Sequence, residues 1–399
     1  MHHKRTQLAN EMIYSLSGED ILSDTSHGLF LAAPRRTGKS AFVVNDLKLG
    51  LEKDHVVIYV DLWKDKSKDP SEVIQDEIKY IFEQNANFLV KSASSLGVQS
   101  IGLSGFSVDI TKMGQKNGPS IHDALRFLHE KTKKPIAIII DEAQHALTTE
   151  AGENAMFALK SARDQMRPMD VPQLKIIMTG SDRDKLLRLM NTHSSPFFGS
   201  SVTTLPHLGL DFIHAISVSI KKRFPDEEVS EKDLQKSFEL FRYRPQIMLE
   251  EVKRAVETKK HIISEGNIPP VDSLSEIIIK KATAYHAQEV SNIDSDFFLL
   301  SSVAKSVVCY LLEDEKPVKM FDAKALKYYS DKTGEIVSAQ KAQAAISSLR
   351  EMDPPFIWKS IRGEYAVADS VIYEWKTSLL GKNAWPPSCT GKKKTAFKK

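Results

Sequence analysis

Two short stretches carry residue types that could do chemistry together. The first reads Ala33-Pro34-Arg35-Arg36-Thr37-Gly38-Lys39-Ser40, followed by Ala41. Glycine, lysine and a hydroxyl in this order suit a chain of phosphates. The glycine lets backbone N–H groups turn inward, the lysine reaches the β- and γ-phosphates, and the hydroxyl can ligate Mg²⁺. The segment matches the pattern G-x-x-x-x-G-K-[ST] except at its first position, where Ala33 stands for glycine; that position needs a tight turn more than a positive φ. The second stretch, residues 136–143, reads I-A-I-I-I-D-E-A. An acid ending an apolar run, Asp141, can hold Mg²⁺ through water, and its neighbour Glu142 is placed to polarise an attacking water. Thr179 and Ser181 end a third apolar run. They read either as a sensor of the terminal phosphate or as an ordinary Thr-Gly-Ser turn.

These residues need elements to bring them together. Apolar runs at 27–32, 55–62, 134–141 and 174–180 read as strands, and 38–51, 71–91 and 154–166 as helices, with Gly50 closing the first. Strands apolar on both faces, alternating with helices, predict a parallel sheet covered on both sides. Residues 92–118 are rich in Gly and Ser and interrupt this rhythm, as an inserted β-hairpin or as a plain long loop. From about residue 211 the chain turns helical, over 211–224, 231–241, 245–264 and 274–287, with a Pro-marked break at 268–273. Residues 297–313, 323–332 and 338–352 follow as helices, and 356–369 as a hairpin turning at Arg362-Gly363. Helices followed by a two-stranded ribbon form the order of a winged helix, with 338–352 as its recognition helix.

APRRTGKS, IIIDEAQ and IIMTGS in this order resemble the AAA+ (ASCE-type) P-loop ATPases, most of all the archaeal-type group related to origin-recognition initiators and to STAND signalling ATPases. The resemblance spans roughly residues 15–265. It implies a three-layer α/β P-loop NTPase domain (1–210), an α-helical lid (211–290), a winged-helix domain (291–380) and a basic tail (381–399). It implies ATP and Mg²⁺ as cofactors and ATP hydrolysis as the activity. ATP would meet residues 33–41, Thr179 and Ser181; Ser40 and Asp141 would hold the metal; Glu142 and Lys39 would serve the reaction. It also implies a lid arginine that contacts the γ-phosphate, and Arg244 in LFRYRPQIML is the matching residue. An arginine finger is expected where this chain has Phe198-Gly199-Ser200, so Ser200 stands at its place. A protein partner or a second copy would then supply the missing arginine.

Composition limits the partners. The chain has 399 residues, 41% hydrophobic and 27% charged, too long for one ordinary domain and normal for a folded one. Its longest apolar runs are too short to span a membrane, and MHHKRTQLANEM carries no apolar signal region, so a cytoplasmic protein without membrane contact is expected. Five of its 55 basic residues lie in the final GKKKTAFKK, and 52 acids balance the rest, so any contact with DNA is local. The recognition helix offers Lys341 and Arg350, and the wing Lys359 and Arg362. That set is thin for duplex binding, and the tail reads as merely solvated or as holding nucleic acid by charge; the first reading is still DNA contact through the winged helix and tail, in replication, transposition or defence. The rival is a STAND-like switch whose winged helix binds protein. Cys309 and Cys389 are far apart in sequence and lack metal-ligand spacing, so neither a disulfide framework nor a zinc site is expected.

Overall fold

Four apolar runs and one short polar one form a single parallel sheet. The computed structural model describes residues 3–390, except 20–21, 23–24, 35, 66, 86–101, 104–105, 108–112, 115–117, 168–170, 182, 191–194, 266–271, 314–318, 353, 360–364 and 369–370. Strands β1 (Leu29–Ala32) and β2 (Val56–Asp61) are followed by a small antiparallel pair, β3 (Gly102–Leu103) and β4 (Phe106–Ser107), and then by β5 (Ile136–Asp141), β6 (Leu174–Gly180) and β7 (Val202–Thr204). The large sheet runs in the order β2-β5-β6-β1-β7, every pairing parallel. Strand β6 therefore stands between the strand before the Gly-Lys-Ser loop and the strand that ends in Asp141.

Every residue of β1, β5 and β6 is buried, because helices cover both faces. Ile138, Ile140, Ile176 and Met178 pack to one side with α3 (Pro70–Gln84), α4 (Ile121–Thr132) and α5 (Glu150–Gln165). Leu31, Ala137, Ile139 and Ile177 pack to the other with α1 (Thr6–Ser15) and α2, a continuous helix made of Lys39–Phe42, a π-helical Val43–Lys48 and Leu49–Leu51. Each aliphatic side chain so buried contributes about 1.5–3 kcal/mol. The result is the three-layer parallel α/β arrangement expected from the sequence. Gly50 does not close α2: it lies inside the helix, where a Cβ would come within 2.6 Å of Ile13 Cδ1. Helix α4 and strand β7 are additions. Most of 92–118 lies outside the described residues; Gly102–Leu103 pairs with Phe106–Ser107, as a hairpin would.

The chain divides into two compact units, Met1–His207 and Leu208–Lys399. The second is helical and holds two apolar clusters. Phe212, Phe238, Phe241, Met248 and Ile278 gather helices α7 (Leu210–Lys221), α8 (Glu231–Leu240), α9 (Pro245–Ser264) and the first half of α10 (Leu274–Leu299); a short α6 (Arg183–Leu187) belongs to the first unit. Phe297, Val308, Ile346, Leu349 and Trp375 gather the end of α10 with α11 (Ser302–Glu313), α12 (Ala323–Thr333), α13 (Ala339–Glu351), the antiparallel strands β8 (Ile357–Lys359) and β9 (Tyr365–Val367), and α14 (Val371–Gly381). The expected gap between helices at 287 and 297 is absent, since no Gly or Pro interrupts α10 there. The hairpin turn at Arg362-Gly363 and the tail from 391 lie outside the described residues. Cys309 and Cys389 are free thiols, both buried in the second cluster. Among the described residues, no helix is long and apolar enough to cross a membrane, and no group of three or more acidic, His or Cys residues could hold a metal ion.

Candidate functional site

The ends of β1, β5 and β6 lie side by side, and each releases a functional residue there. After β1 the chain turns through Ala33 and Pro34, with the Thr37 hydroxyl donating to the Pro34 carbonyl at 2.7 Å. Arg36 and Gly38 both have positive φ, 67° and 93°, whereas Ala33 does not. Alternating left-handed residues at a helix start turn successive N–H groups toward one point, which makes an anion-binding concavity. Lys39 and Ser40 open α2. Arg35 lies outside the described residues.

Lys39 is buried, at 5% exposure, and its Nζ has three partners. It donates to Asp141 Oδ1 at 2.5 Å, to Glu142 Oε1 at 3.0 Å and to Thr179 Oγ1 at 2.9 Å. Asp141 also accepts from Ser40 Oγ at 2.9 Å, from Tyr59 Oη of the adjacent strand at 3.2 Å and from the Thr179 hydroxyl. Glu142 leaves the strand in the left-handed conformation, φ 55° and ψ 42°, and starts the 3₁₀ turn Ala143–Thr148. For a non-glycine residue this costs roughly 1–2 kcal/mol, a cost typical of functional positions. Its Oε2 accepts from Ser181 Oγ at 2.9 Å and from Gln144 Nε2 at 2.5 Å.

Burial pushes both carboxylates toward their neutral forms, but the Lys39 ammonium and the hydroxyl donors outweigh it. Asp141 and Glu142 are both held below the usual carboxylate range. Burial and the neighbouring Asp141 push Tyr59 upward, so it stays a neutral donor. Two ionised carboxylates against one lysine leave the site short of positive charge. Ser40 Oγ and Asp141 Oδ2, 2.9 Å apart, are hard oxygen donors of the kind Mg²⁺ takes alongside phosphate and water. The donor set fits that ion.

A cavity of about 240 Å³ opens over these groups. Pro34, Arg36, Gly38, Lys39, Ser40 and Ala41 line it from the loop and helix start, Glu142 and Ser181 from the strand ends, and Trp63 from beyond β2. Thr179 is fully buried, below Lys39. Of the residues singled out in the sequence, Lys39, Ser40, Asp141, Glu142, Thr179 and Ser181 thus form one hydrogen-bonded cluster. Arg244 belongs to the second unit, where its guanidinium donates to Tyr285 Oη at 2.5 Å and faces Glu289 at 3.6 Å. Three members of the site, Tyr59, Trp63 and Gln144, are not assigned to it by the sequence, where Trp63 reads as core packing or base stacking and Gln144 only closes IIIDEAQ. Trp63 Nε1 donates to His145 Nε2. Gln144 alone had a visible signal, an amide two residues after Glu142 at a strand end.

Folds of known structure resemble this one along almost their whole length. A Walker-type ATPase of Pyrococcus abyssi matches with a TM-score of 0.50 and 16% identity, over 94% of this chain and 95% of its own. The ORC2 protein of Aeropyrum pernix, in an ADP form, matches with a TM-score of 0.53 and 14% identity, over 95% and 93%. The chain shares the fold of these two proteins, a parallel α/β sheet of the P-loop NTPase kind followed by a helical part. The likeness of fold covers both units, and the cluster of Lys39, Asp141 and Thr179 sits at the strand ends of the parallel sheet. No protein-family model and no curated protein matches the chain.

Proposed function

We propose that this chain binds ATP with Mg²⁺ and hydrolyses it, and that it works as a nucleotide-controlled switch on DNA. One observation carries the ATP reading: Lys39, Ser40, Asp141 and Glu142 converge from separate strand ends beside a left-handed anion-binding loop. On this reading Lys39 leaves the carboxylates for the β- and γ-phosphates. Ser40 and Asp141 hold the metal, which would offset phosphate charge. Glu142 takes the proton of the attacking water, and Thr179 and Ser181 respond to the terminal phosphate. The likeness to an ORC2 protein recorded in an ADP form supports nucleotide binding. We read 211–290 as the lid carrying Arg244 and 291–380 as a winged helix; the basic tail, expected over 381–399, starts later, because Gly381 ends α14 and Trp385 and Cys389 pack in the second cluster.

DNA contact rests on the helix, helix, helix, ribbon order of α11 to β9 and on the lysines of the tail. A second reading, a STAND-like switch with a protein-facing winged helix, is favoured by Lys341. That base of α13 is paired with Glu335 at 3.0 Å, which leaves Arg350 as the other cation of the helix. Ser200 at the finger position favours it too, with a partner or second copy supplying the arginine.

The deciding experiment measures ATP hydrolysis by the whole chain with and without duplex DNA. Lys39→Ala should weaken ATP binding about 10- to 100-fold, the worth of one charge-assisted hydrogen bond. Glu142→Gln should keep ATP and lose about 10²–10⁴ in rate. Normal hydrolysis by Glu142→Gln refutes the base assignment. Stimulation by DNA supports the first reading; a slow rate indifferent to DNA with tight ATP binding supports the second.

A further inference from the structure

The geometry points to Gln144 as the residue that positions Glu142, and to Gly180 as the gap that admits it. This inference rests on the reading of Glu142 as the base. The end of β6 meets the end of β5 residue by residue. Thr179 serves Asp141 and Lys39, and Ser181 serves Glu142. Gly180, between them, faces Gln144. A Cβ built on Gly180 would lie 2.7 Å from Gln144 Oε1 and 3.3 Å from Leu186 Cβ. Any side chain at 180 would therefore displace the amide.

The amide can face only one way. A carboxylate accepts and does not donate, so Nε2 must point at Glu142 Oε2, 2.5 Å away. Oε1 is then turned toward Gly180. There it is buried and, among the described residues, meets no hydrogen-bond donor, on a residue only 7% exposed. A buried acceptor without a donor is costly, and an apolar side chain would fill the space without that cost. The amide is retained for what Nε2 does. Glu142 Oε2 is held by Gln144 and Ser181, both neutral, while Oε1 is held by Lys39. When Lys39 turns to a phosphate, Oε1 becomes free to accept a proton and Oε2 stays anchored. Gln144 thus fixes the plane of the carboxylate while leaving one oxygen open.

The test uses the full chain and compares kcat, KM for ATP and the pH dependence of kcat. Gln144→Ala should lower kcat about tenfold, the worth of one hydrogen bond to a charged group, with KM unchanged. Gln144→Glu places a second carboxyl against Glu142 and should move the acid limb of the kcat profile up by roughly one unit or more. Gly180→Ala should lower kcat in the parent chain and have a much smaller effect in the Gln144→Ala background, where the 2.7 Å contact is gone and only Leu186 Cβ at 3.3 Å must give. Equal losses from Gly180→Ala in both backgrounds overturn the inference, as does an unmoved acid limb in Gln144→Glu. Thermal melting and ATP affinity of each variant separate loss of fold from loss of positioning. Glu142→Gln runs beside them. If it is inactive while the Gln144 variants keep parent kcat and pH profile, this inference alone fails; if it hydrolyses normally, the base reading and this inference fail together.

Discussion

Lys39 stabilises two charges that burial alone would extinguish. Asp141 and Glu142 sit below their ordinary range because the ammonium and its accompanying hydroxyls outweigh desolvation. A carboxylate whose folded value is depressed adds stability above its unfolded value, near 4, and that stability disappears as pH falls through the folded value. Lys39→Met reverses the sign. With the cation gone, burial is opposed only by the neutral donors, Thr179 and Ser40 on Asp141 and Gln144 and Ser181 on Glu142, and we expect the folded values to rise above the unfolded ones. Stability is then kept below about pH 4 and lost as pH rises through the raised values. Leaving a buried charge without its partner costs about 3–5 kcal/mol. We expect urea midpoints to show a larger loss for Lys39→Met at about pH 8 than at about pH 5. An equal loss at both would mean that the carboxylates are screened and the cluster is weaker than its distances imply.

At the scale of elements, the turn after β5 is held as tightly as the strand itself. Gly152 opens α5, and a Cβ there would stand 2.3 Å from the Ala146 carbonyl, which is backbone and cannot step aside. Gly152→Ala should destabilise by about 1–3 kcal/mol although alanine favours helix. Gly50→Ala meets only the end of a flexible isoleucine, so its helical gain of about 1 kcal/mol should offset the clash. Denaturant midpoints of the two variants check the contrast; similar losses would refute it. Legibility of the sequence follows the same division. Strands β1, β2, β5 and β6 are long apolar runs, so their positions, and those of Lys39, Ser40, Asp141 and Glu142 at their ends, could be read directly. Helix α4 carries a legible start signal, since Ser120 and Asp123 form a capping box around Ile121, with Leu125 and Leu128 following at helical spacing. Strand β7, Val-Thr-Thr at the sheet edge, shows no apolar pattern. The π-helical Val43–Lys48 changes backbone register without changing composition. Gln144 could not be assigned because its role depends on the absence of a side chain at Gly180, a neighbour only across the sheet.

At the scale of the whole molecule, the two units divide the residues: the proposed phosphate site belongs to Met1–His207, and the helical cores to Leu208–Lys399. On the DNA reading the basic tail adds affinity through phosphate contacts, each released counterion steepening the salt dependence. Deleting residues 391–399 removes five lysines and should lower the slope of log affinity against log salt by up to about 4. An unchanged slope would assign DNA contact elsewhere. The paired thiols have a different consequence. Cys309 and Cys389 share one core, and the hydrogen bond between them, with burial, pushes the Cys309 thiol far above its ordinary value. The same contact lowers the Cys389 thiol, but thiol reagents act on accessible thiolates and both cysteines are buried, so both should react slowly in the folded protein. An exposed cysteine introduced at Tyr80 in the first unit and another at Ile263 in the second would therefore be labelled ahead of the native pair. The molecule is its own quiet background for a two-dye distance measurement, and ATP-driven movement between its halves could be followed by fluorescence without first removing a natural residue.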